Sequence, residues 1–316
     1  MVGKKKGKKI KKFSIVFQIS LVMIIIILAA STAGFFTVKT GLLQMSYIDE
    51  TDSSYWGRND LGFILGSEEI ILNGSGDTCW LMIHGYGATP HDFSELSEKV
   101  NSKFGDYVYA PLLLGHGEVP SKIMNLTLDD WYSQVSEIYD SMSNECDQIN
   151  VVGFSFGGAL STRLSEEKDV KNTYLVAPYL FPLYNKIKIF DVAFYVDVIA
   201  DLVHYSNKFT LSQINDPEGL KNYIAYWVFP LQPVKYSVPF LNQVKKDLGK
   251  IENPILIQHS TGDKTADYSA SKLIYSKVSS KEKELVLFTD SNHVILFDYD
   301  KEEAMQNILD FEEKHR

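Results

Sequence analysis

The chain has 316 residues, of which 45% are hydrophobic and 22% are charged, and its formal net charge is −9. This composition is typical of a globular protein with one large domain or two small ones, and its acidity argues against nucleic-acid binding, which requires clustered lysine and arginine. The two cysteines, Cys79 and Cys146, are too few for a disulfide framework, and Cys79 lies in an apolar strand pattern that suits a small buried side chain. No C-x-x-C or H-E-x-x-H spacing occurs, so we predict no metal site and no cofactor.

The amino-terminal segment combines a basic tail with a long apolar run. Residues 1–12 contain seven lysines and no acidic residue, and residues 13–38 contain no charged residue. An apolar helix of about 20 residues crosses a bilayer core, and the basic flank of such a helix stays in the cytoplasm. We therefore predict a cytoplasmic tail over 1–12, a single transmembrane anchor over 13–38 and the rest of the chain on the extracytoplasmic side. A signal peptide cleaved near Ser31-Thr32-Ala33 is the alternative interpretation.

The rest of the chain divides into a polar linker over residues 39–56 and a folded body over residues 57–316, in which strand and helix patterns alternate. The stretch LGFILGSEEIILNG predicts a β-hairpin with Gly66-Ser67 at its turn. The later predicted strands are TCWLMIHG, GDYVYAPLLL, QINVVGF, VKNTYLVAP, PILIQHS and ELVLFTD, and the predicted helices are TPHDFSELSEKVNSKF, LTLDDWYSQVSEIYDSM, GGALSTRLSEE and EEAMQNILDFEEKH. Apolar strands that alternate with helices predict an α/β fold, with a mostly parallel central sheet and helices on both faces.

One long segment, at about residues 180–250, interrupts this alternation. It is rich in aromatic residues and proline, and it is too long for a plain connection between a strand and a helix. We predict that it forms an inserted helical cap over the carboxyl-terminal edge of the sheet, and we refer to residues 180–250 as the cap. Most of its aromatic side chains are expected to pack the cap onto the body, and a minority to line a pocket.

The stretch VVGFSFGG contains a G-x-S-x-G motif centred on Ser155. A predicted strand runs into it and a predicted helix leaves it, so the serine is expected at a sharp turn where open α/β sheets place their ligands. The small residues Gly153 and Gly157 permit that turn. Ser155 is therefore the candidate nucleophile, although a serine in an ordinary glycine-rich loop produces the same motif.

A serine nucleophile needs a base, and the base needs an acid that orients it. The stretch HSTGDKTAD follows a predicted strand and offers Asp263, with Asp267 as the alternative acid. The stretch TDSNHVILFD follows the next strand and offers His293. The order Ser155, acid, His293 is that of the α/β-hydrolase arrangement.

The negative charge that develops on a substrate carbonyl oxygen needs hydrogen-bond donors. The glycine-rich loop in LMIHGYGATP follows a strand, and the backbone N–H of Tyr86 within it is expected to pair with that of Phe156, the residue after the nucleophile. We interpret His84, at the end of the strand, as structural. The other histidines, at positions 91, 116, 204, 259 and 315, are given no catalytic role.

The sequence resembles the branch of the α/β-hydrolase family that contains bacterial carboxylesterases and monoacylglycerol lipases. The matching stretches are LMIHGYGATPHDFSELSEKV, YAPLLLGHGEVPSKIMNLTLDDWYSQV, VVGFSFGGALSTRL, STGDKTADYSASKLIYSKV and SNHVILFDYDKEEAMQNILDFEE. The resemblance implies a nucleophile at Ser155, an acid at Asp263 rather than Asp267, a base at His293, and oxyanion amides at Tyr86 and Phe156. The cap does not match that pattern, so the substrate range is not carried over, and the soluble members lack the amino-terminal apolar segment.

These observations predict a membrane-anchored serine hydrolase that cleaves carboxylic esters through an acyl-enzyme on Ser155. Its expected partners are a small-molecule or lipid ester and, through residues 13–38, the lipid bilayer. Relatives on the same fold include acyltransferases, thioesterases and peptidases, and fold alone does not choose among these activities. A non-catalytic lipid-binding module on a hydrolase scaffold is the alternative from another class.

Overall fold

The computed structural model describes residues 43–44, 57–181, 205–207 and 213–316. Most of the strands in this part of the chain belong to one central sheet. The strands are β1 (Leu43–Gln44), β2 (Ile70–Leu72), β3 (Thr78–Ile83), β4 (Tyr107–Ala110), β5 (Gln148–Phe154), β6 (Thr173–Val176), β7 (Tyr205–Asn207), β8 (Val228–Pro230), β9 (Ile255–Ser260) and β10 (Lys283–Phe288).

The central sheet has seven strands in the order β10-β9-β6-β5-β3-β4-β2. All neighbouring pairs are parallel except β2 and β4, which are antiparallel at one edge. The inner strands β3, β6 and β9 are buried along their whole length, which explains why they are continuous apolar runs in the sequence. This topology confirms the predicted α/β fold with a mostly parallel sheet.

Helices cover both faces of the sheet. They are α1 (Ser94–Phe104), α2 (Leu128–Met142), α3 (Phe156–Glu167), α4 (Pro217–Asn222), α5 (Gln232–Asp247), α6 (Ser269–Lys277) and α7 (Lys301–His315). Alternate side chains of a strand point to opposite faces. In β3, Leu81 joins the core beneath α2, α3, α5 and α6, whereas Trp80 joins the core beneath α1 and α7.

Local sequence explains where two of these helices begin. Thr127 and Asp130 form a capping box at the start of α2, in which the hydroxyl oxygen of Thr127 accepts from the amide of Asp130 at 3.2 Å and the carboxylate of Asp130 accepts from the amide of Thr127 at 2.8 Å. The helix predicted from Thr89 onward begins with a 3-10 turn over Pro90–Phe93, and α1 proper begins at Ser94.

The predicted hairpin over LGFILGSEEIILNG is wrong. Its second half forms β2, which pairs with β4 so that Ile71 lies opposite Tyr109. Its first half contributes only an isolated bridge between Arg58 and Ile64. The periodicity of a short apolar segment does not specify its partner strand, and an isolated two-stranded hairpin is marginally stable, whereas β2 joins a sheet of seven strands.

The cap was predicted to be helical, but its described part also contains strands. It contains β7 and β8, which pair antiparallel with each other, and β1 pairs antiparallel with β7 to complete a three-stranded sheet. Helix α5, which lies within the same range, buries Leu241 and Val244 in the core shared with α2 and α3. Residues 182–204 and 208–212 of the cap lie outside the described residues.

The two cysteines form a disulfide bond between Cys79 and Cys146, with a Cα–Cα distance of 5.9 Å. Cys79 is buried, as was predicted, but it is not a free thiol. The bond forms because β3 and β5 are neighbours and Cys79 lies opposite Ile149, so the segment that leads into β5 brings Cys146 beside the start of β3. A sequence separation of 67 residues contains no signal of this contact.

Within the ranges that the structure describes, no helix is both long enough and apolar enough to cross a membrane. The predicted anchor over residues 13–38 and the tail over residues 1–12 lie outside those ranges. Only Leu43–Gln44 of the predicted linker is described.

Candidate active site

Ser155 lies at the turn between β5 and α3, as the sequence predicts. Its backbone has φ 54° and ψ −115°, a region that residues other than glycine avoid at a cost of about 1–3 kcal/mol. Two backbone hydrogen bonds hold the strained residue: its amide donates to the carbonyl of Val176 at 3.1 Å, and its carbonyl accepts from the amide of Tyr179 at 3.0 Å. The turn therefore presents the Ser155 side chain at the carboxyl-terminal edge of the sheet.

Two glycines allow α3 to pack this close to the sheet. A Cβ atom at Gly157 would lie 1.9 Å from the carbonyl oxygen of Ile83, and one at Gly153 would lie 2.3 Å from the carbonyl oxygen of Gly157. Contacts this short exclude any side chain at either position. The glycines of the motif are thus required by the packing of α3 against the ends of β3 and β5.

The structure brings the three predicted side chains together. The Nε2 atom of His293 lies 2.9 Å from the Oγ atom of Ser155, and the Nδ1 atom of His293 lies 2.7 Å from the Oδ2 atom of Asp263. An ionised carboxylate only accepts hydrogen bonds, so Nδ1 carries the proton and Nε2 is left to accept from the Ser155 hydroxyl. This is the arrangement that a base requires in order to take the proton of a serine.

Asp263, rather than Asp267, is the acid that contacts His293. Its other oxygen, Oδ1, accepts from the amides of Thr265 at 2.7 Å and Ala266 at 2.8 Å. Burial opposes its ionisation, but the electrostatic interaction with His293 and the hydrogen bonds from His259 and His293 outweigh burial and hold the pKa of Asp263 below its usual range. Asp267 instead accepts from the amide of Ser269 at the start of α6, at 2.9 Å.

Asn292 joins the loop that carries His293 to the loop that carries Asp263. Its side-chain oxygen accepts from the amide of His293 at 2.9 Å and from the amide of Lys264 at 3.0 Å. The amide of Asn292 in turn donates to Asp298 at 2.7 Å. These bonds fix the two loops relative to each other, although the loops follow different strands.

The glycine-rich loop after β3 forms a tight turn around Tyr86. The amide before Tyr86, that of Gly85, donates to the Oδ2 atom of Asp92 at 3.1 Å, and the amide after it, that of Gly87, donates to the Nε2 atom of His116 at 3.1 Å. Phe156 is the first residue of α3, and the first amides of a helix have no acceptor within the helix. The ring centroids of Tyr86 and Phe156 lie 5.2 Å apart, so the two predicted donor residues are neighbours beside Ser155.

Comparison with known proteins identifies the family. Residues 80–305 match the model of the alpha/beta hydrolase family, and this range includes Ser155, Asp263 and His293. The chain belongs to the alpha/beta hydrolase family.

Two curated relatives of this α/β hydrolase are ester hydrolases. It is 28% identical over 253 residues to a thermostable monoacylglycerol lipase of Bacillus sp. (strain H-257), covering 80% of this chain and 97% of the relative. It is 23% identical over 241 residues to a carboxylesterase of Bacillus subtilis (strain 168), covering 76% and 94%. Together with the serine, histidine and aspartate geometry, these relatives identify a serine ester hydrolase.

Solved structures agree with this assignment. A structure described for the metagenome-derived lipolytic enzymes LipS and LipT superposes with a TM-score of 0.71 at 25% identity, covering 80% of this chain and 100% of that one. A monoacylglycerol lipase of Paleococcus ferrophilus superposes with a TM-score of 0.67 at 17% identity, covering 78% and 98%, which supports the fold.

A cavity of about 180 Å³ opens beside Ser155 and His293 of this α/β hydrolase. Its remaining lining side chains are mostly aromatic or aliphatic and come from both the body and the cap: Tyr86, Phe154, Phe156, Tyr179, Gln213, Tyr223, Phe229, Leu231, Val234 and Thr265. Apolar walls around a small number of polar groups are typical of a site that binds an organic ligand. The minority of cap aromatics expected to line a pocket therefore includes Tyr223 and Phe229.

Two buried histidines support the loop around Tyr86. His84 accepts from the amide of Leu113 at 3.0 Å through Nε2 and donates to the carbonyl of Gly85 at 2.9 Å through Nδ1. Burial lowers the pKa of His84 to about 4, so it is neutral and able to accept. His84 is structural, as was predicted, whereas the support that His116 gives to Gly87 was missed. The only sequence signal for His116 is its position between Gly115 and Gly117.

His259 is the second residue that the sequence interpretation missed. Its Nε2 atom lies 3.0 Å from the Oδ2 atom of Asp263, the same oxygen that His293 contacts. The available signal was its position near the end of β9, four residues before the acid.

Proposed function

We propose that this α/β hydrolase is a membrane-anchored serine hydrolase that cleaves carboxylic esters with an apolar acyl chain through an acyl-enzyme on Ser155. The observation that carries the proposal is the continuous contact from Ser155 through His293 to Asp263 at the mouth of an aromatic cavity.

In the first half of the reaction, His293 accepts the proton of the Ser155 hydroxyl at Nε2 while Oγ attacks the ester carbonyl carbon. The imidazolium that forms is stabilised by the carboxylate of Asp263 at Nδ1. When the tetrahedral intermediate collapses, the bond to the alcohol oxygen breaks and His293 returns the proton to the leaving alcohol. The products of this half are a free alcohol and an acyl group on Ser155.

In the second half, a water molecule gives a proton to His293 as its oxygen attacks the acyl carbon. The bond to Ser155 Oγ then breaks, the carboxylic acid leaves, and His293 returns the proton to the serine. In both halves the carbonyl oxygen gains negative charge. We assign its stabilisation to the backbone amides of Tyr86 and Phe156, because these flank the serine and come from a rigid turn and a helix start.

The aromatic lining of the cavity favours an apolar acyl chain over a polar one. Monoacylglycerols and lysolipids combine such a chain with a single ester and a polar head, and one relative is named as a monoacylglycerol lipase. We therefore propose a monoacyl lipid as the substrate class.

Three features support a membrane anchor over residues 13–38 with the body outside the cytoplasm. The lysine-rich tail precedes that apolar run. The Cys79–Cys146 disulfide suits an oxidising compartment. Strand β1 follows the apolar run within a few residues, and Leu43 pairs with Ser206 of the cap. An anchor at that point would hold the cap side of the body close to the bilayer.

The catalytic proposal is tested with the full chain, kept in detergent and assayed on p-nitrophenyl esters of graded chain length. Ser155→Ala is compared with Ser161→Ala, a matched change at a buried serine inside α3. We expect Ser155→Ala to lose at least about a thousandfold in kcat and all labelling by a fluorophosphonate probe, and Ser161→Ala to retain both. Equal rates in wild type and Ser155→Ala would overturn the proposal.

Substrate class and topology have separate tests. Amide and thioester analogues of the best ester distinguish an esterase from a peptidase or thioesterase, and faster cleavage of either analogue would overturn the ester assignment.

For topology, protease added to intact cells is expected to cut the body, and carbonate extraction is expected to leave the chain in the membrane fraction. Protection from the protease would reverse the orientation, and release by carbonate would argue against the anchor.

A further inference from the structure

A second histidine contacts the acid of the proposed catalytic group. His259, near the end of β9, has 0% of its surface exposed. Its Nε2 atom lies 3.0 Å from Asp263 Oδ2, and His293 Nδ1 lies 2.7 Å from that same oxygen. One carboxylate oxygen is thus shared by two imidazole rings.

The two neighbours of His259 determine which ring nitrogen faces a donor and which faces an acceptor. Asp263 is an acceptor only, so Nε2 of His259 carries a hydrogen. The other ring nitrogen, Nδ1, lies 2.7 Å from the hydroxyl oxygen of Ser271 in α6. In the neutral ring Nδ1 accepts, and the Ser271 hydroxyl donates to it. Ser271, which is itself fully buried, therefore sets the tautomer that points an N–H at Asp263.

We infer that His259 is a positioning residue that shares Asp263 with His293 and limits how strongly the carboxylate stabilises protonated His293. This inference rests on the proposed function, because it assigns His293 as the base. It extends the chain of hydrogen-bonded side chains Ser155, His293 and Asp263 by two residues, His259 and Ser271.

The physical argument concerns the donors around Asp263. The carboxylate accepts four hydrogen bonds, two at Oδ1 from backbone amides and two at Oδ2 from imidazoles. Each donor spreads the negative charge and fixes the carboxylate in place. The titratable groups that interact with Asp263 here are the two histidines. Removal of the His259 donor leaves more of the charge on the oxygen that faces His293, so the base becomes easier to protonate. It also leaves Oδ2 held by His293 alone.

The test is the pH dependence of kcat/KM for the full chain in detergent, with a p-nitrophenyl ester as the probe. His259→Phe keeps an aromatic ring at this position and removes the donor. We expect the midpoint of the acidic limb to move up by about 0.5–1 pH unit and kcat to fall about tenfold, with KM changed less than about twofold. His259→Gln retains an N–H that reaches the carboxylate. We expect it to restore the midpoint and most of the kcat. Ser271→Ala is expected to move the midpoint in the same direction by less.

A residue that only stabilises the fold would behave differently. Ile255→Ala, at the far end of β9, serves as a control that lowers the melting temperature without contact with Asp263, and its midpoint is expected to match that of wild type. If folded His259→Phe has a wild-type midpoint and kcat, or if His259→Gln loses as much as His259→Phe, the inference is wrong. Ser155→Ala is assayed alongside. Activity that survives in Ser155→Ala would indicate failure of the proposed function. Activity that is lost in Ser155→Ala but unchanged in the His259 variants would indicate failure of this inference alone.

Discussion

The hydroxyl of Tyr86 donates a hydrogen bond to the carbonyl oxygen of Pro230 at 2.6 Å, across 144 residues of chain. Tyr86 belongs to the turn after β3, and Pro230 is the last residue of β8 in the cap. The ring of Tyr86 also packs against Phe229, with centroids 5.8 Å apart. The cap is therefore bonded directly to the turn that we propose binds the oxyanion, so movement of one is expected to displace the other.

Tyr86→Phe tests this connection, because it removes the hydroxyl and leaves the backbone amide and the ring. A lost hydrogen bond of this kind costs about 1 kcal/mol, so we expect kcat/KM to fall about fivefold. Tyr139→Phe is the matched control, since the hydroxyl of Tyr139 donates to the carbonyl of Asp169 at the same distance of 2.6 Å. The control is expected to lower the melting temperature with unchanged kcat/KM. Equal kinetics in the two variants would show that the bond to the cap does not affect the site.

A pair of aspartate variants tests the identity of the acid. Asp263→Asn removes the charge that stabilises protonated His293 and favours the wrong tautomer, so we expect kcat to fall by about 10³–10⁴-fold. Asp267→Asn retains an oxygen that can accept from the amide of Ser269, and its kcat is expected to stay within about threefold of wild type. Steady-state kinetics on one p-nitrophenyl ester measures both. A larger loss in Asp267→Asn would assign the acid to that residue instead.

The disulfide is expected to stabilise the fold without contributing to the chemistry. It closes a loop of 67 residues, for which chain entropy gives a stabilisation of about 4 kcal/mol. Cys79 lies at the end of β3 opposite to Tyr86, so kcat should be unchanged. We expect urea denaturation of Cys79→Ala/Cys146→Ala to match that of reduced wild type, both below oxidised wild type. Identical curves for oxidised and reduced wild type would contradict the prediction.

Glu166 is expected to make the stability of the protein fall as pH rises. Burial raises the pKa of its carboxyl to about 8, although Arg163 opposes this shift. At pH values between the ordinary pKa of 4.5 and the raised pKa of about 8, the Glu166 carboxyl holds a proton in the folded state that it has lost in the unfolded state. Stability is therefore greatest below this window and is lost as pH rises through it.

Glu166→Gln removes this titration while keeping the shape of the side chain and its contact with Arg163. Chemical denaturation at a series of pH values is expected to give a flatter profile for the variant, which should exceed wild type by more than about 1 kcal/mol at pH 9. Glu167→Gln, at the neighbouring partner of Arg163, is the control and should keep the wild-type slope. Parallel profiles for wild type and Glu166→Gln would show that Glu166 is ionised in the folded protein.

The sequence predicted the architecture well because the information needed is local. Strands buried on both faces must be apolar along their length, and β3, β6 and β9 follow that rule. Gly153 and Gly157 were visible for a similar reason, since a backbone contact that excludes Cβ leaves a glycine in the sequence. The hairpin prediction failed because β2 pairs with β4 across more than thirty residues, and the periodicity of a strand does not specify its partner.

The sequence alone predicted the fold class, a serine at a sharp turn, and the order of Ser155, an acid and His293, because each of these three residues follows a recognisable strand. The tertiary structure places Asp263, which the resemblance favoured over Asp267, in contact with His293. Only the tertiary structure paired Cys79 with Cys146 and brought His259 to Asp263 and His116 to Gly87. The contacts at the site depend on segments that follow β3, β5, β9 and β10 meeting at the carboxyl-terminal edge of the sheet, whereas the disulfide depends on β3 and β5 being neighbours at the opposite edge. The strand order β10-β9-β6-β5-β3 creates that meeting point, and no spacing along the chain encodes it.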